Sequence, residues 1–394
     1  MNLSRLLHKL VQRTPVAWLQ VTNNPTKLLI GVAGVSFSNL LMFFQLGLLD
    51  SLYNSQQKPI LSLEADLVMV SAKFSHFGAL QEFDRSRLFQ VLGVDGVAWV
   101  SPLRVARGNW ITPGTRNRYD IFVYGINPVW PSFRFAEIEQ NRSQLQLLGH
   151  ALFDQESKSQ FGPVLTELSK NNPFLVEVNN TQVGVIGTFR MGTTFDADAN
   201  LITTENTFFQ LFKNSNPSRT QLGLIGLKPG ASAERVQAEV AAILESRDAI
   251  VLSRQQLAQR ELNYWKRTSA VGFIFSLGVL VGFLVGGIIV YQILYGDVMN
   301  SLPQYATLKA MGYRDPYVIG IVIQQAAILA VVGFIPGLLL STGLYVMLAN
   351  VTRLAVAMSL ERAIQVLVLT FVMCVASGSL ATRKLVQLDP ADVF

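Results

Sequence analysis

The sequence predicts an α-helical membrane protein with four transmembrane helices and a large extracytoplasmic α+β domain between helices 1 and 2. Two observations lead to this fold class. The chain of 394 residues is 50% hydrophobic and only 15% charged, whereas an ordinary soluble domain carries about 25% charged residues. The apolar residues are also concentrated in long uncharged blocks, which is typical of membrane-spanning segments.

Each apolar block is long enough to cross a bilayer, which takes about 20 apolar residues. The blocks are residues 28–49, 268–296, 316–352 and 363–382, and none contains Asp, Glu, Lys, Arg or His. The first is too long for the apolar core of a signal peptide and has no A-x-A site after it, so we expect it to be retained. Because ionisable side chains inside a membrane usually mark ion or proton pathways, uncharged spans argue against a channel or a proton-driven carrier.

The Lys and Arg residues of the short flanking segments predict the orientation of the spans. Eight lie in the N-terminal arm, the 297–315 loop and the tail, against two, Arg353 and Arg362, between the third and fourth spans. Both termini and the 297–315 loop are therefore predicted to be cytoplasmic. A basic arm beside an apolar span also favours contact with a membrane surface and argues against nucleic acid as a partner.

The domain boundaries follow from these blocks. The predicted segments are a basic cytoplasmic arm (1–27), the first span (28–49), the extracytoplasmic domain (50–252), a stalk helix with the second span (253–296), a cytoplasmic loop with a short helix (297–315), the third span with an extension (316–352), a short outer loop (353–362), the fourth span (363–382) and a cytoplasmic tail (383–394).

The large segment 50–252 alternates strand-like runs with turns. FLVEVNNTQVGVIGTF (174–189) predicts a hairpin closed at Asn179 and Asn180, and residues 231–246 carry apolar side chains at helical spacing. Hairpins mixed with helices favour an α+β domain. The sequence contains no GxSxG, HExxH or GxxxxGK[ST] motif, so we expect no catalytic residue, metal site or cofactor in this chain.

The residues before the second span predict a stiff helix. Ser253 and Gln256 fit a capping box, and helix-forming residues continue from SRQQLAQRELNYWKR into the span. The expectation is one continuous helix, with a break near Lys266 as the alternative. Within the span, Gly278, Gly282 and Gly286 form a GxxxGxxxG stripe that would let helices pack closely, in one chain or between two copies. The alternative is that glycine is common in membrane helices.

The stretch SLPQYATLKAMGYRDPY (301–317) predicts a short helix bounded at both ends. Ser301 and Gln304 fit a second capping box, Gly312 suits the position after a helix end, and Asp315 with Pro316 suits the start of the next helix. A rigid helix between two spans would present a partly apolar face to a soluble partner. The alternative is a connector that lies on the membrane interface.

At these residues the sequence resembles a known family. YATLKAMGYRDPY (305–317) resembles the coupling-helix motif of the FtsX/MacB-like permeases, or type VII ABC transporters, and the tail ATRKLVQLDPADVF resembles the basic ending of that family. RTPVAWLQ, LLMFFQLG, LNYWKRTSAVGFIFSLG and IIVYQILYGDV resemble the DevC permeases within it. Asn39 departs from this pattern, since an acidic residue is expected there in DevC relatives.

The resemblance implies a non-catalytic permease that works as a homodimer and passes ATP-driven motion from a separate cytoplasmic ABC ATPase subunit to its periplasmic domain. ATP would be bound by that partner. The DevC-type systems further imply a periplasmic membrane-fusion adaptor, a TolC-like outer-membrane channel, and export of a membrane lipid or glycolipid from the inner membrane. The alternatives are an FtsX-like relay that activates a periplasmic cell-wall hydrolase, and a lipoprotein-release permease. The implied coupling residues are Tyr305, Leu308, Lys309, Met311, Gly312 and Tyr313.

Overall fold

The computed structural model describes residues 16–244, 248–353 and 356–383. Its contacts divide the chain into two compact units. The membrane unit consists of the described residues of 1–49, 273–347 and 356–394, and the sheet unit consists of those of 50–272 and 348–355. Residues 1–15 of the predicted arm (1–27) and residues 384–394 of the predicted tail (383–394) lie outside the described residues.

The helices are numbered along the chain. They are α1 (Val16–Asn23), α2 (Pro25–Leu61), α3 (Arg85–Val91), α4 (Ala136–Gln140), α5 (Arg142–Leu145), α6 (Val164–Lys170), α7 (Glu205–Leu211), α8 (Ala233–Leu244), α9 (Arg254–Arg267), α10 (Ala270–Asn300), α11 (Leu302–Ala310), α12 (Asp315–Thr352) and α13 (Leu360–Ala381).

The strands are numbered in the same way. They are β1 (Leu67–Ser71), β2 (Phe83–Asp84), β3 (Val97–Ile111), β4 (Arg118–Ile126), β5 (His150–Asp154), β6 (Phe174–Val178), β7 (Thr181–Phe189), β8 (Asn200–Thr204), β9 (Arg219–Thr220), β10 (Leu222–Leu227) and β11 (Ala249–Ser253).

Within the described residues, four helices are long and apolar enough to cross a membrane, namely α2, α10, α12 and α13. This confirms the predicted membrane fold with its domain between the first and second spans. The first helix runs past the predicted end of the span, from Pro25 to Leu61. The helix continues because residues 50–58 contain neither glycine nor proline. The first proline after Leu49 is Pro59, which lies in the last turn.

The prediction of one continuous stalk helix is wrong. The chain leaves the helix at Thr268 and Ser269, between α9 and α10, which is the predicted alternative. The backbone N–H groups of Thr268 and Ser269 both donate to the Tyr264 carbonyl, at 2.8 and 3.0 Å, so the helical hydrogen-bond ladder ends there. The capping box at the other end of α9 is confirmed, with Ser253 and Gln256 bonded reciprocally.

The sheet unit is built on a nine-stranded mixed sheet in the order β11-β1-β10-β3-β4-β8-β5-β7-β6. Strand β3 joins its two halves, because its first part pairs with β10 and its second part with β4. The predicted hairpin of β6 and β7 is confirmed. Asn179 and Asn180 close it with φ of +50° and +59°, the left-handed pair that a type I′ turn requires.

Both faces of this sheet are covered. Successive residues of β1 face different cores, since Leu67 and Met69 pack with the α8 residues Val236 and Val240, whereas Val68 packs in the cluster on the opposite face. This alternation is the period of two that a strand imposes. The predicted helix at 231–246 is observed as α8, and residues 245–247 lie outside the described part.

Candidate coupling site in the membrane unit

The short helix α11 follows α10 after a single residue, Ser301. The predicted capping box is wrong here, because in the described structure the Ser301 side chain makes no capping hydrogen bond. Its backbone N–H instead donates to the carbonyls of Asp297 and Val298, at 3.0 and 3.2 Å. Ser301 therefore still belongs to the last turn of α10, and its ψ of 6° is not the extended conformation that a cap residue needs.

The other end of α11 is a Schellman motif, which confirms the predicted helix end. Gly312 has φ of +92°, and its N–H donates to the Lys309 carbonyl at 2.9 Å. The Tyr313 N–H donates to the Leu308 carbonyl at 3.1 Å. These two bonds satisfy carbonyls that a helix end leaves open, so the chain reverses towards α12 in a fixed geometry.

A salt bridge closes the loop between α11 and α12. The Lys309 ammonium lies 2.9 Å from the Asp315 carboxylate, and the Lys309 side chain is 12% exposed. Asp315 is also the first residue of α12, where a negative charge complements the helix dipole. Lys309 therefore stabilises the turn that follows Gly312.

One face of α11 is fixed to the membrane unit from inside. Tyr305 is buried in a cluster with Ala17 of α1 and Val298 of α10, and its neighbour Ala306 is also buried. The Tyr305 hydroxyl donates to Gln20 Oε1 at 3.3 Å, and burial raises the pKa of Tyr305 to about 12. The hydroxyl therefore remains a neutral donor at ordinary pH.

Gln20 of α1 connects three parts of this site. It accepts hydrogen bonds from Tyr305 and from Gln325 Nε2, the latter at 2.8 Å, and its own Nε2 lies 3.5 Å from Gln304 Oε1. Next to it, Lys27 and Asp297 pair at 3.0 Å. Sequence reasoning missed Gln20, although it ends the RTPVAWLQ stretch that carried part of the resemblance.

The structure divides the predicted coupling residues into two groups. Tyr305 is inside, Leu308 packs against the same cluster, and Lys309 is held in its salt bridge. Gly312 is exposed with Met311 and Tyr313, whose side chains are 63% and 46% exposed. Sequence reasoning missed the other exposed residues of this loop, which form its outer face: Pro303, Gln304, Thr307, Ala310, Arg314 and Pro316.

The glycine stripe of α10 packs against α2 of the same chain. A Cβ at Gly278 would meet Gln45, one at Gly282 would meet Met42 and Leu41, and one at Gly286 would overlap the Ser38 hydroxyl. The Ser38 hydroxyl donates to the Gly282 carbonyl at 2.7 Å. The stripe thus allows close packing inside the chain, and a role between two copies remains a prediction.

Asn39, which departs from the DevC pattern, lies in the same helix packing. It is fully buried, and its Oδ1 accepts a hydrogen bond from the Thr370 hydroxyl of α13. Its Nδ2 has no hydrogen-bond partner among the described atoms. In this structure Asn39 therefore joins α2 to α13.

Asp196 and Asp198 of the sheet unit have protein partners. Asp196 accepts from Gln56 and pairs with Arg107 at 3.2 Å, and Asp198 pairs with Lys158 at 2.5 Å. Within the described residues, no three His, Cys, Asp or Glu side chains are grouped so that they could hold a metal ion.

A buried carboxylate fixes α9 in the sheet unit. Glu261 is fully buried and accepts from the Phe77 N–H at 2.7 Å and from Trp265 Nε1 at 2.8 Å. Burial raises the pKa of Glu261 to about 7, although these hydrogen bonds act in the opposite direction. His76 stacks on Tyr264 beside it, with ring centroids 4.1 Å apart.

These features define a membrane protein with an α/β domain after its first span and a bounded helix between its second and third. Residues 272–390 match the family of the FtsX-like permease C-terminal domain. For these residues the predicted resemblance to the FtsX-like permeases is confirmed. The narrower assignment to the DevC permeases remains a prediction.

Several solved structures are similar to part of this chain. The periplasmic region of MacB from Actinobacillus actinomycetemcomitans is 14% identical, with a TM-score of 0.35, and the match covers 51% of this chain and 94% of that one. The extracellular domain of the noncanonic ABC-type transporter YknZ from Gram-positive bacteria is 13% identical, with a TM-score of 0.32, over 48% and 99% of the two chains. No curated protein sequence matches this chain.

Proposed function

We propose that this chain is the non-catalytic permease subunit of an ABC-type export system in the inner membrane. Its termini and α11 face the cytoplasm, and its sheet unit lies in the periplasm. A separate ATPase subunit binds α11, and the motion driven by ATP is transmitted through the helices to the sheet unit. The bias of Lys and Arg towards the α11 side of the spans supports this orientation.

The observation that carries the proposal is the two-sided construction of α11. Its inner face is held by the packing of Tyr305 and by the Gln20 hydrogen bonds, while Met311 and Tyr313 are exposed beside the Schellman turn. A force applied to the exposed side would therefore move α1 and the adjoining ends of α10 and α12 together. That property is what a coupling element between a motor and a membrane domain needs.

The remaining parts of the proposal rest on the DevC resemblance. The chain works as a homodimer with a periplasmic membrane-fusion adaptor and a TolC-like outer-membrane channel, and the exported cargo is a lipid or glycolipid. ATP is bound by the partner ATPase, since the sequence contains no GxxxxGK[ST] motif.

The test uses an ABC ATPase subunit that is identified by its co-purification with this chain and is then reconstituted with it in lipid nanodiscs. We expect Gly312→Val to abolish the stimulation of ATP hydrolysis while the protein still inserts in the membrane. A β-branched residue at φ of +92° is strongly strained, so the turn that presents Met311 and Tyr313 would be lost. Gly320→Ala is the matched control, because Gly320 lies inside α12 and no described atom lies within 4 Å of a Cβ placed there.

A cross-link makes the docking test direct. Cys374 is the only cysteine of the chain and is buried, so Met311→Cys adds a single exposed thiol. We expect this thiol to cross-link to the ATPase. Full ATPase stimulation by Gly312→Val, together with no cross-link from Met311→Cys, would refute the coupling role of α11.

The partners of the sheet unit separate export from the alternatives. The tagged full-length chain is purified from its native membrane, and the proteins retained with it are identified. A membrane-fusion adaptor supports export. A cell-wall hydrolase in place of the adaptor would show the FtsX-like relay, and a retained lipoprotein would show lipoprotein release.

A further inference from the structure

An apolar groove lies between α10 and α13 in the membrane unit, with a volume of about 480 Å³. Its floor is narrow because the two helices touch there, where the Ser377 hydroxyl donates to the Gly287 carbonyl at 2.8 Å. Its sides carry Leu284, Ile288 and Leu380, which are about half exposed. The groove therefore opens on the outer surface of the helix bundle.

The length of the groove corresponds to one leaflet of a bilayer. Its lining runs from Phe283 to Tyr291 on α10 and from Met373 to Arg383 at the end of α13, which is about 12–15 Å at the rise of an α-helix. The hydrocarbon core of a bilayer is about 30 Å thick, so one leaflet contributes about 15 Å.

The groove has the dimensions of a hydrocarbon chain. A volume of about 480 Å³ over that length corresponds to a cross-section of about 30–40 Å². A single extended hydrocarbon chain fits into a groove of this size.

The two ends of the groove differ in polarity. One end is lined by Phe283, and the other has Tyr291 and the exposed Arg383. Tyrosine favours the headgroup level of a membrane, and a guanidinium is the side chain best suited to a phosphate. The groove is thus apolar where an acyl chain would lie and positively charged where a headgroup would lie.

We propose that this groove binds an anionic glycerophospholipid from the leaflet on the α11 side of the membrane. One acyl chain lies between α10 and α13, and the lipid phosphate contacts Arg383. The site takes a lipid of the surrounding membrane and does not depend on the proposed export function or on its cargo.

Native mass spectrometry of the full-length chain tests the proposal. The chain is extracted from nanodiscs that contain phosphatidylcholine with a minor fraction of phosphatidylglycerol, and the lipids that stay bound are counted. We expect one phosphatidylglycerol per wild-type chain. Ala376→Phe puts a ring into the groove and should abolish this binding, whereas Val372→Phe, on an exposed part of α13 outside the groove, should leave it unchanged.

The charge is tested separately. Arg383→Gln should lower the preference for phosphatidylglycerol over phosphatidylcholine about fivefold, as expected for one basic residue at a membrane surface. Arg314→Gln, an exposed arginine elsewhere in the membrane unit, serves as the control. Unchanged lipid binding by Ala376→Phe, or an unchanged lipid preference in Arg383→Gln, would overturn the proposal. So would a change of oligomeric state in Ala376→Phe, because it would show that a second copy covers this face.

Discussion

The contact between α10 and α2 in the membrane unit is made at small side chains, whereas the core of the sheet unit contains large ones. The contact of α10 with α2 is made at Gly282 and Gly286, and the Ser38 hydroxyl donates to a helix carbonyl there. In the sheet unit, by contrast, fully buried side chains such as Trp110 and Phe208 fill the space around the strands.

The difference follows from the solvent in which each unit folds. A sheet in water is stabilised by the removal of apolar surface from water, in proportion to the area buried. Lipid chains are as apolar as leucine, so spanning helices gain little from burying apolar area. They associate instead through close contact and polar bonds between helices. Side-chain volume should therefore have opposite effects on stability in the two units.

The largest effect is expected from removing volume in the sheet unit. Phe208 of α7 is fully buried and packs over Gly125 of β4. Phe208→Ala should lower the free energy of unfolding of this unit by about 3–5 kcal/mol. The measurement is hydrogen–deuterium exchange of β4 and β8 in the full chain in nanodiscs. Leu175→Ala, at a side chain that is 55% exposed, is the control, and equal exchange in the two variants would contradict the volume argument.

The next effect distinguishes the units by their response to pH. The Glu261 pKa is about 7 in the folded sheet unit, against an ordinary value of 4.5. Between these values the folded state binds more protons than the unfolded state does, so the sheet unit loses stability as pH rises from about 4.5 to 7. The loss has an upper bound of about 3 kcal/mol. The predicted spans contain no Asp, Glu, Lys, Arg or His, so they contribute no such dependence.

Glu261→Gln tests this prediction. The amide keeps the shape of the side chain but does not titrate, so the dependence of unfolding on pH between about 5 and 7 should flatten. Exchange of the amides around Phe77 and Trp265, read across that pH range and corrected for intrinsic exchange, measures it. Glu239→Gln, an exposed carboxyl of α8 that pairs with Arg235, should retain the slope. A slope that persists in Glu261→Gln would assign the titration to another group.

Features determined by neighbouring residues were predictable from the sequence. The Asn179–Asn180 turn and the Gly312 helix end each depend on a few residues with φ above zero, and the structure confirms both. The spans were predictable because about 20 apolar residues in a row have few alternatives. These signals act within one turn or one helix and need no knowledge of distant contacts.

Features determined by distant contacts were not predictable. Ser301 has the sequence of a cap, but its backbone N–H is bonded to the last turn of α10. The position of β3 between β10 and β4 depends on pairing across more than a hundred residues. The inward direction of Tyr305 depends on Gln20, which lies 285 residues away. The predicted coupling residues were therefore placed on the correct loop without being separated into anchoring and exposed members.

The smallest change in stability is expected when one methyl group is added at either of two glycines of α10. This pair of substitutions is also the sharpest test of the comparison between the units. At Gly286 a Cβ would overlap the Ser38 hydroxyl and would lie 2.6 Å from Met373 Sδ, whereas at Gly296 no described atom lies within 4 Å. Gly286→Ala should destabilise the membrane unit by about 1–3 kcal/mol. Gly296→Ala should stabilise it by up to about 1 kcal/mol, because alanine favours a helix over glycine. Thermal unfolding of the two variants in the same detergent measures the difference. Destabilisation by both, or by neither, would show that close approach at the stripe does not hold α10 against α2.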